Sequence, residues 1–286
     1  MLYIIYIFPK TQSMEGPIIS AEWLNEHMNH PRLVILDTSM ERTSLKNGTG
    51  EGVLPGSRYF DLKGAFSAFD ARYPNTFPDK DQFEAGARAL GIGQDSLIVC
   101  YDHKGIFSSA RVRWMFTYFG HPSVYVLDGG LPGWTKAGYE VEAEYSDVFK
   151  NGDFVAKATD RKIVDLSYIT SEERESKSLL VDARSAGRFN GSQAEPREGL
   201  RSGAIPGSIN IPFADLLEEG HLKPRVELEE KMRICTDSKR KEELVFSCGS
   251  GVTACVLGLA YEYITGDNDY AIYDGSWTEY ASEIPE

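Results

Sequence analysis

A chain of 286 residues exceeds what one ordinary hydrophobic core serves, which leaves two domains or one large α/β domain. Its 42% apolar and 26% charged residues are the balance of a folded globular protein and exclude extensive disorder. The net charge of -13 disfavours a general electrostatic grip on nucleic acid or an anionic membrane, so any anion it binds must meet a local positive site.

The opening MLYIIYIF is apolar, but eight residues are too few to span a bilayer. No basic stretch precedes it and the first arginine is Arg32, so neither a secretory signal nor an Arg-rich transit peptide is expected. Met14 is a candidate second start, and cytoplasm and mitochondrion both stay open as locations. Residues 1–16 read as an N-terminal extension.

From there the chain is written twice. LVILDTS at 33–39 returns as LLVDARS at 179–185, VLPGSRYFDL at 53–62 as AIPGSINIPF at 204–213, and YVLDGGLPGW at 125–134 as AIYDGSW at 271–277. The offset holds between 145 and 151 residues. Two tandem copies of one domain are predicted, at 17–141 and 162–286, joined by a polar and weakly periodic linker at 142–161. Each copy alternates short β-branched runs with helical stretches, which predicts an α/β domain with a mainly parallel central sheet flanked by helices on both faces. In the second copy the predicted strands are LLVDA, SINIP, LVFSC and AIYDG, and the charge-rich stretch 225–243 reads as a solvated helix leading into LVFSC.

The clearest helix follows LVFSC. Val252, Cys255, Val256, Leu259, Ala260 and Tyr263 recur on one apolar face, and Cys255 reads there as core. The four cysteines (Cys100, Cys235, Cys248, Cys255) form no C-x2-C pair and no disulfide framework, which suits free thiols in a reducing compartment. With five scattered histidines, neither a metal site nor a cofactor is expected.

Cys248 falls at the junction of strand and helix, in CGSGVT. Ligand crevices of open α/β sheets lie at the carboxyl ends of strands. Gly249, Ser250 and Gly251 let the backbone fold tightly there, and a helix beginning at Val252 and Thr253 would aim its positive end at the sulfur. Such a cup of N–H groups lowers a thiol pKa, and the thiolate is the nucleophile. The competing reading, a packing cysteine at a strand end, leaves the Gly-Ser-Gly turn without a purpose. A nucleotide loop would continue with Gly-Lys-Ser/Thr, and a cysteine phosphatase needs an arginine six positions on, where Ala254 stands. No histidine lies in a motif that would make a Cys-His hydrolase. In the first copy, LIVCYD sets Asp102 opposite Cys248 and leaves Cys100 inside the strand. That domain is expected to be non-catalytic and to form one wall of an interdomain cleft.

Together CGSGVTAC, GRFNGSQAEPREG, IPGSINIPF and YDGSW resemble the two-domain rhodanese superfamily, and within it the 3-mercaptopyruvate sulfurtransferases, over essentially the whole chain after about residue 17. The resemblance implies that Cys248 accepts sulfur from a small-molecule donor, holds it as a persulfide and passes it to a thiol acceptor such as thioredoxin or glutathione, or to cyanide. It assigns Ser250 to proton relay, Arg188 and Arg197 to the donor's carboxylate and carbonyl, and Gly249, Gly251, Val252 and Thr253 to the substrate-facing loop. The neutral Gly249 and Ser250, where thiosulfate enzymes resemble a pattern with basic residues, favour a keto-acid donor. One stretch departs from the pattern: Phe60, Asp61, Leu62 and Lys63 stand where family members often read Phe-Asp-x-Asp, so the acidic end of a Cys-Ser-Asp relay is missing. Asp61 then orients the loop or serves the core, and Lys63 favours an anionic donor, which keeps thiosulfate as the alternative substrate. A sulfur carrier that docks without turnover is the third reading, against which the arginine pair argues.

Overall fold

The computed structural model describes residues 16–42, 52–237 and 241–285. The apolar opening, Met14 and all of the expected extension except Gly16 lie outside the described residues.

LVILD, LIVCY and LLVD are apolar without alternation, as strands covered on both faces must be. The first domain sets β1 (Ile18–Ile19), β2 (Leu33–Asp37), β3 (Arg58–Tyr59), β4 (Leu97–Tyr101) and β5 (Val124–Leu127) into a five-stranded sheet of order β1-β5-β4-β2-β3. The second contains β6 (Lys162–Val164), β7 (Ser178–Asp182), β8 (Ile209–Asn210), β9 (Leu217–Glu218), β10 (His221–Leu222), β11 (Glu243–Ser247) and β12 (Ala271–Tyr273). Its five-stranded sheet has the order β6-β12-β11-β7-β8, with β9 and β10 apart as a small antiparallel hairpin. All pairings within the two large sheets are parallel. Element for element the second sheet repeats the first, so the internal repeat read in the sequence is a structural one. The predicted strand SINIP shrinks to Ile209–Asn210 at the sheet edge, since Pro212 has no N–H to extend a ladder.

The central strands β4 and β11 deliver Asp102 and Cys248 to equivalent places, one residue past each strand end. The helix after each, Ser109–Tyr118 and Ala254–Thr265, packs against the other across the domain boundary. Ala110 and Trp114 of the first helix join Leu257 and Tyr261 of the second in one buried cluster. Around this apolar contact sits a polar clamp: Glu262 takes Arg113 at 2.9 Å, Arg161 at 2.8 Å and the Tyr270 hydroxyl at 2.6 Å. Burial pushes the Glu262 carboxyl up, but the two guanidinium groups more than reverse this and hold it below its ordinary value.

Equivalent carboxylates also cross the boundary in both directions. Asp128 of the first domain accepts the Leu222 N–H at 2.9 Å and lies 3.2 Å from His221 Nδ1. Its repeat partner Asp274 accepts the Phe77 N–H at 2.8 Å and Arg111 at 2.5 Å. The segment 142–161 runs along the first domain, where the Ser146, Phe154 and Thr159 N–H groups bond to Ser57, Ile92 and Tyr118 carbonyls and Phe154 is buried. Three buried anchors at irregular spacing, Tyr145, Phe154 and Ala156, on an otherwise polar strap explain its weak periodicity. No helix among the described residues is long and apolar enough to cross a membrane.

Candidate active site

The strand β11 ends at Ser247, one residue earlier than predicted, because the Cys248 N–H leaves the sheet and donates to Ser276 Oγ at 3.1 Å. Cys248 is only 1% exposed, yet it lines a cavity of about 400 Å³ between the domains. Arg188, Arg197, Gly249, Ser250, Val252 and Thr253 of the second domain share that lining. Across from them the first domain contributes Lys63, Asn75 and Phe107. The cationic side chains create, on a chain of charge -13, the local positive site that anion binding requires.

Two expectations about the loop need correction. The helix begins at Ala254, so Val252 and Thr253 remain in the loop; Gly251, at φ +77°, turns the chain before them. Gly251 itself does not line the cavity. Its N–H donates to Ser276 Oγ at 3.1 Å and its carbonyl accepts from Arg111. The N–H groups of Gly249, Ser250, Val252 and Thr253 find no acceptor among the described residues, so the open part of the cup consists of these four.

Ser276 was not singled out from the sequence, although the repeat carries the signal. Its counterpart Gly130 has φ +52°, and Ser276 keeps φ +51°, a left-handed conformation that costs a side-chain-bearing residue about 1–2 kcal/mol. The hydroxyl is what that strain supports: it accepts from Cys248 and Gly251, donates to the Tyr273 carbonyl at 2.7 Å, and sits 3.9 Å from Cys248 Sγ. Both Ser276→Gly and Ser276→Ala orphan the two N–H groups, while only alanine retains the backbone strain. The alanine variant should therefore be the less stable of the two by about 1 kcal/mol in urea titration. Equal midpoints would remove the strain argument.

Arg188 and Arg197 are held differently. Glu195 grips Arg188 through Nε at 3.1 Å and Nη2 at 2.6 Å, and is itself fixed by the buried Arg184 at 2.7 Å. Arg184 is bound in turn to Asp182 and covers the Trp277 ring at 4.4 Å. This chain of alternating charges fixes the Arg188 fork over the loop; a Cβ on Gly249 would come within 2.9 Å of Arg188 Nη2. Arg197 instead donates to Thr278 Oγ1 at 2.5 Å. Burial, with Arg188 as a like-charged neighbour, holds its guanidinium below the ordinary value, and negative charge on Cys248 opposes this. Glu195 lies within GRFNGSQAEPREG, whereas the only sequence signal for Arg184 is that it replaces Ser39 of the first copy.

Ser250 accepts a hydrogen bond at 2.9 Å from the Asn75 side chain of the first domain. Asn75 stands at φ +61° and is nearly buried; its carbonyl is bound by Arg111 at 3.1 Å. With its oxygen occupied as an acceptor, the Ser250 hydroxyl proton is left for the cavity. No periodicity marks Asn75. Asp61 lies outside the cavity lining and accepts the N–H groups of Gly64 and Ala65, which makes it the cap of its own turn. Lys63 does reach the cavity and is paired loosely with exposed Glu41 at 3.7 Å.

The first-domain loop shows why an equivalent thiol has no place there. The Asp102 carboxylate accepts the N–H groups of Lys104, Phe107 and Ser109 at 2.8–3.0 Å, filling its own cup. Cys100 and Cys255 are both buried; burial pushes the Cys255 thiol up to about 12 and raises that of Cys100 further, so both are inert packing groups. No three His, Cys, Asp or Glu side chains among the described residues converge to hold a metal ion.

Two parallel five-stranded α/β domains, with a loop cysteine on one and a carboxylate on the other, define a tandem protein with one equipped centre. Comparison with known proteins agrees: the family described as the rhodanese-like domain matches residues 20–137 and again 168–283. A mitochondrial thiosulfate/3-mercaptopyruvate sulfurtransferase of Arabidopsis thaliana is 38% identical, over 95% of this chain and 77% of its own. Human 3-mercaptopyruvate sulfurtransferase is 35% identical, over 92% and 91%. The crystal structure of a 3-mercaptopyruvate sulfotransferase from Escherichia coli superposes with a TM-score of 0.78 at 32% identity, covering 92% of this chain and 99% of that one. The chain belongs to the rhodanese-like family, as a two-domain sulfurtransferase.

Proposed function

We propose that the protein transfers sulfur from 3-mercaptopyruvate, through a persulfide on Cys248, to a thiol or other nucleophilic acceptor. The observation that carries this reading is the single cavity lined by Cys248, Arg188 and Arg197 together. The two arginines bind the carboxylate and carbonyl of the donor by charge-assisted hydrogen bonds and leave its thiol at the loop. The Cys248 thiolate attacks the donor sulfur, the carbon–sulfur bond breaks, and its electron pair leaves with pyruvate as the enolate. Ser250 donates a proton to that enolate and is reprotonated from solvent. The free N–H groups of Gly249, Ser250, Val252 and Thr253 stabilise negative charge at the sulfur pair. The acceptor, thioredoxin, glutathione or cyanide, then attacks the outer sulfur and releases Cys248 as thiolate.

Thiosulfate is the second reading, favoured by one observation, the Lys63 ammonium at the cavity wall opposite Cys248. Incubation with 3-mercaptopyruvate is expected to release pyruvate and to add the mass of one sulfur atom to the peptide containing Cys248. Cys248→Ser should do neither. Sulfur gained on a different cysteine, or pyruvate released by the serine variant, would reject the assignment.

A further inference from the structure

Beside the catalytic cavity lies a second one of about 270 Å³, over the loop of the first domain. Met40, Glu41, Lys104 and Phe107 line both, so the two open on a common wall. Ser108 belongs to the second cavity alone. Its residue is 1% exposed and its hydroxyl has no hydrogen-bond partner, an omission that costs a buried polar group about 1–3 kcal/mol unless a ligand meets it. The Lys104 ammonium forms no ion pair among the described residues and is carried over the Phe107 ring at 4.6 Å. An anion cannot use the backbone cup here, because Asp102 fills it. What an acceptor meets here is an unpaired cation and an unpaired hydroxyl, with Met40, Phe107 and Glu41, the last loosely paired with Lys63, on the wall shared with the catalytic cavity.

We infer that this second cavity receives the sulfur acceptor, a small thiol carrying carboxylates, with a carboxylate at Lys104, a polar group at Ser108 and its thiol passed over Met40 and Phe107 to the persulfide. The inference rests on the persulfide chemistry proposed above. In the step it serves, the acceptor thiolate, its proton already given to solvent, bonds to the outer sulfur of the Cys248 persulfide. The sulfur–sulfur bond breaks, and Cys248 leaves as thiolate while the acceptor departs as a persulfide. The donor is held by Arg188 and Arg197, so the two substrates use different cations of one cleft. The first domain thereby acts as an acceptor platform, with its own loop closed to anions.

The test separates the half-reactions in Ser108→Ala and Ser108→Val. The burst of pyruvate from 3-mercaptopyruvate, and turnover with cyanide, an acceptor too small to need the cavity, should match the parent. The KM for glutathione should rise severalfold in the alanine variant and more in the valine variant, which fills the space. In Lys104→Ala the KM for glutathione should rise about tenfold, and that for uncharged 2-mercaptoethanol should stay unchanged, as expected for one lost charge-assisted bond. Unchanged glutathione KM values, or equal losses with cyanide, overturn the acceptor site. A parent without a pyruvate burst would instead overturn the sulfur-transfer reading on which it rests.

Discussion

Arg111→Leu is expected to lower the free energy of unfolding by about 3–5 kcal/mol, because it strands the Asp274 carboxylate in the domain interface. Arg111 is 1% exposed and fastens three things at once: Asp274 at 2.5 Å, the Asn75 carbonyl at 3.1 Å and the Gly251 carbonyl at 3.4 Å. Burial pushes this guanidinium down, yet Asp274 more than offsets that and keeps it above its ordinary value. The same change frees Asn75, which holds Ser250, and Gly251, which shapes the loop. We therefore expect kcat with 3-mercaptopyruvate to fall much more than KM rises, since Arg188 and Arg197, the arginines proposed to bind the donor, lie elsewhere. Removing Asp274 as well, in Arg111→Leu with Asp274→Leu, should cost clearly less than the sum of the single changes in urea titration. Additive costs would show that the pair is not coupled.

Arg197→Ala and Arg188→Gly are each expected to raise the KM for 3-mercaptopyruvate about ten- to hundredfold, the worth of a charged hydrogen bond of about 1.5–3 kcal/mol. For thiosulfate, which offers no keto acid to a two-point clamp, the rise should be much smaller. Equal rises for both donors would count against a carboxylate-specific role. Arg188→Gly also releases Glu195, but Arg184 still pairs with it, so the effect should be confined to the donor and leave the unfolding midpoint little changed. An unfolding loss comparable to that of Arg111→Leu would mean that Arg188 is structural.

Much of this site was legible before any fold was known. Cys248 announced itself by standing between an apolar run and a glycine-rich turn, and the first copy supplied an internal control, Asp102, at the matching place. The loop residues were legible as a class but not one by one: Gly251 looks like its neighbours in CGSGVT, and only the Ser276 hydroxyl, 25 positions away in the chain, withdraws its N–H from the cavity. The apolar period starts two residues before the helix does, because Val252 continues that period while lying in the turn. Periodicity reports which side is buried, and a buried loop residue satisfies it as well as a helical one.

The amino-acid order by itself determined the duplication, the parallel strands and the placing of a cysteine, proposed here as the reactive one, at a strand end, since each of these is written in local pattern and in the comparison of one half with the other. The partners of that position were decided only by the tertiary structure. Asn75 on Ser250, Arg111 on Gly251 and Asp274, and Ser108 beside the cleft all arise where one domain meets the other. Nothing local marks them, because they are single polar residues in turns, or one of two arginines in a mostly apolar helix. Their value comes from burial, which removes water as a competing partner and makes each unpaired group costly. That condition exists only after the two sheets have packed through their central helices.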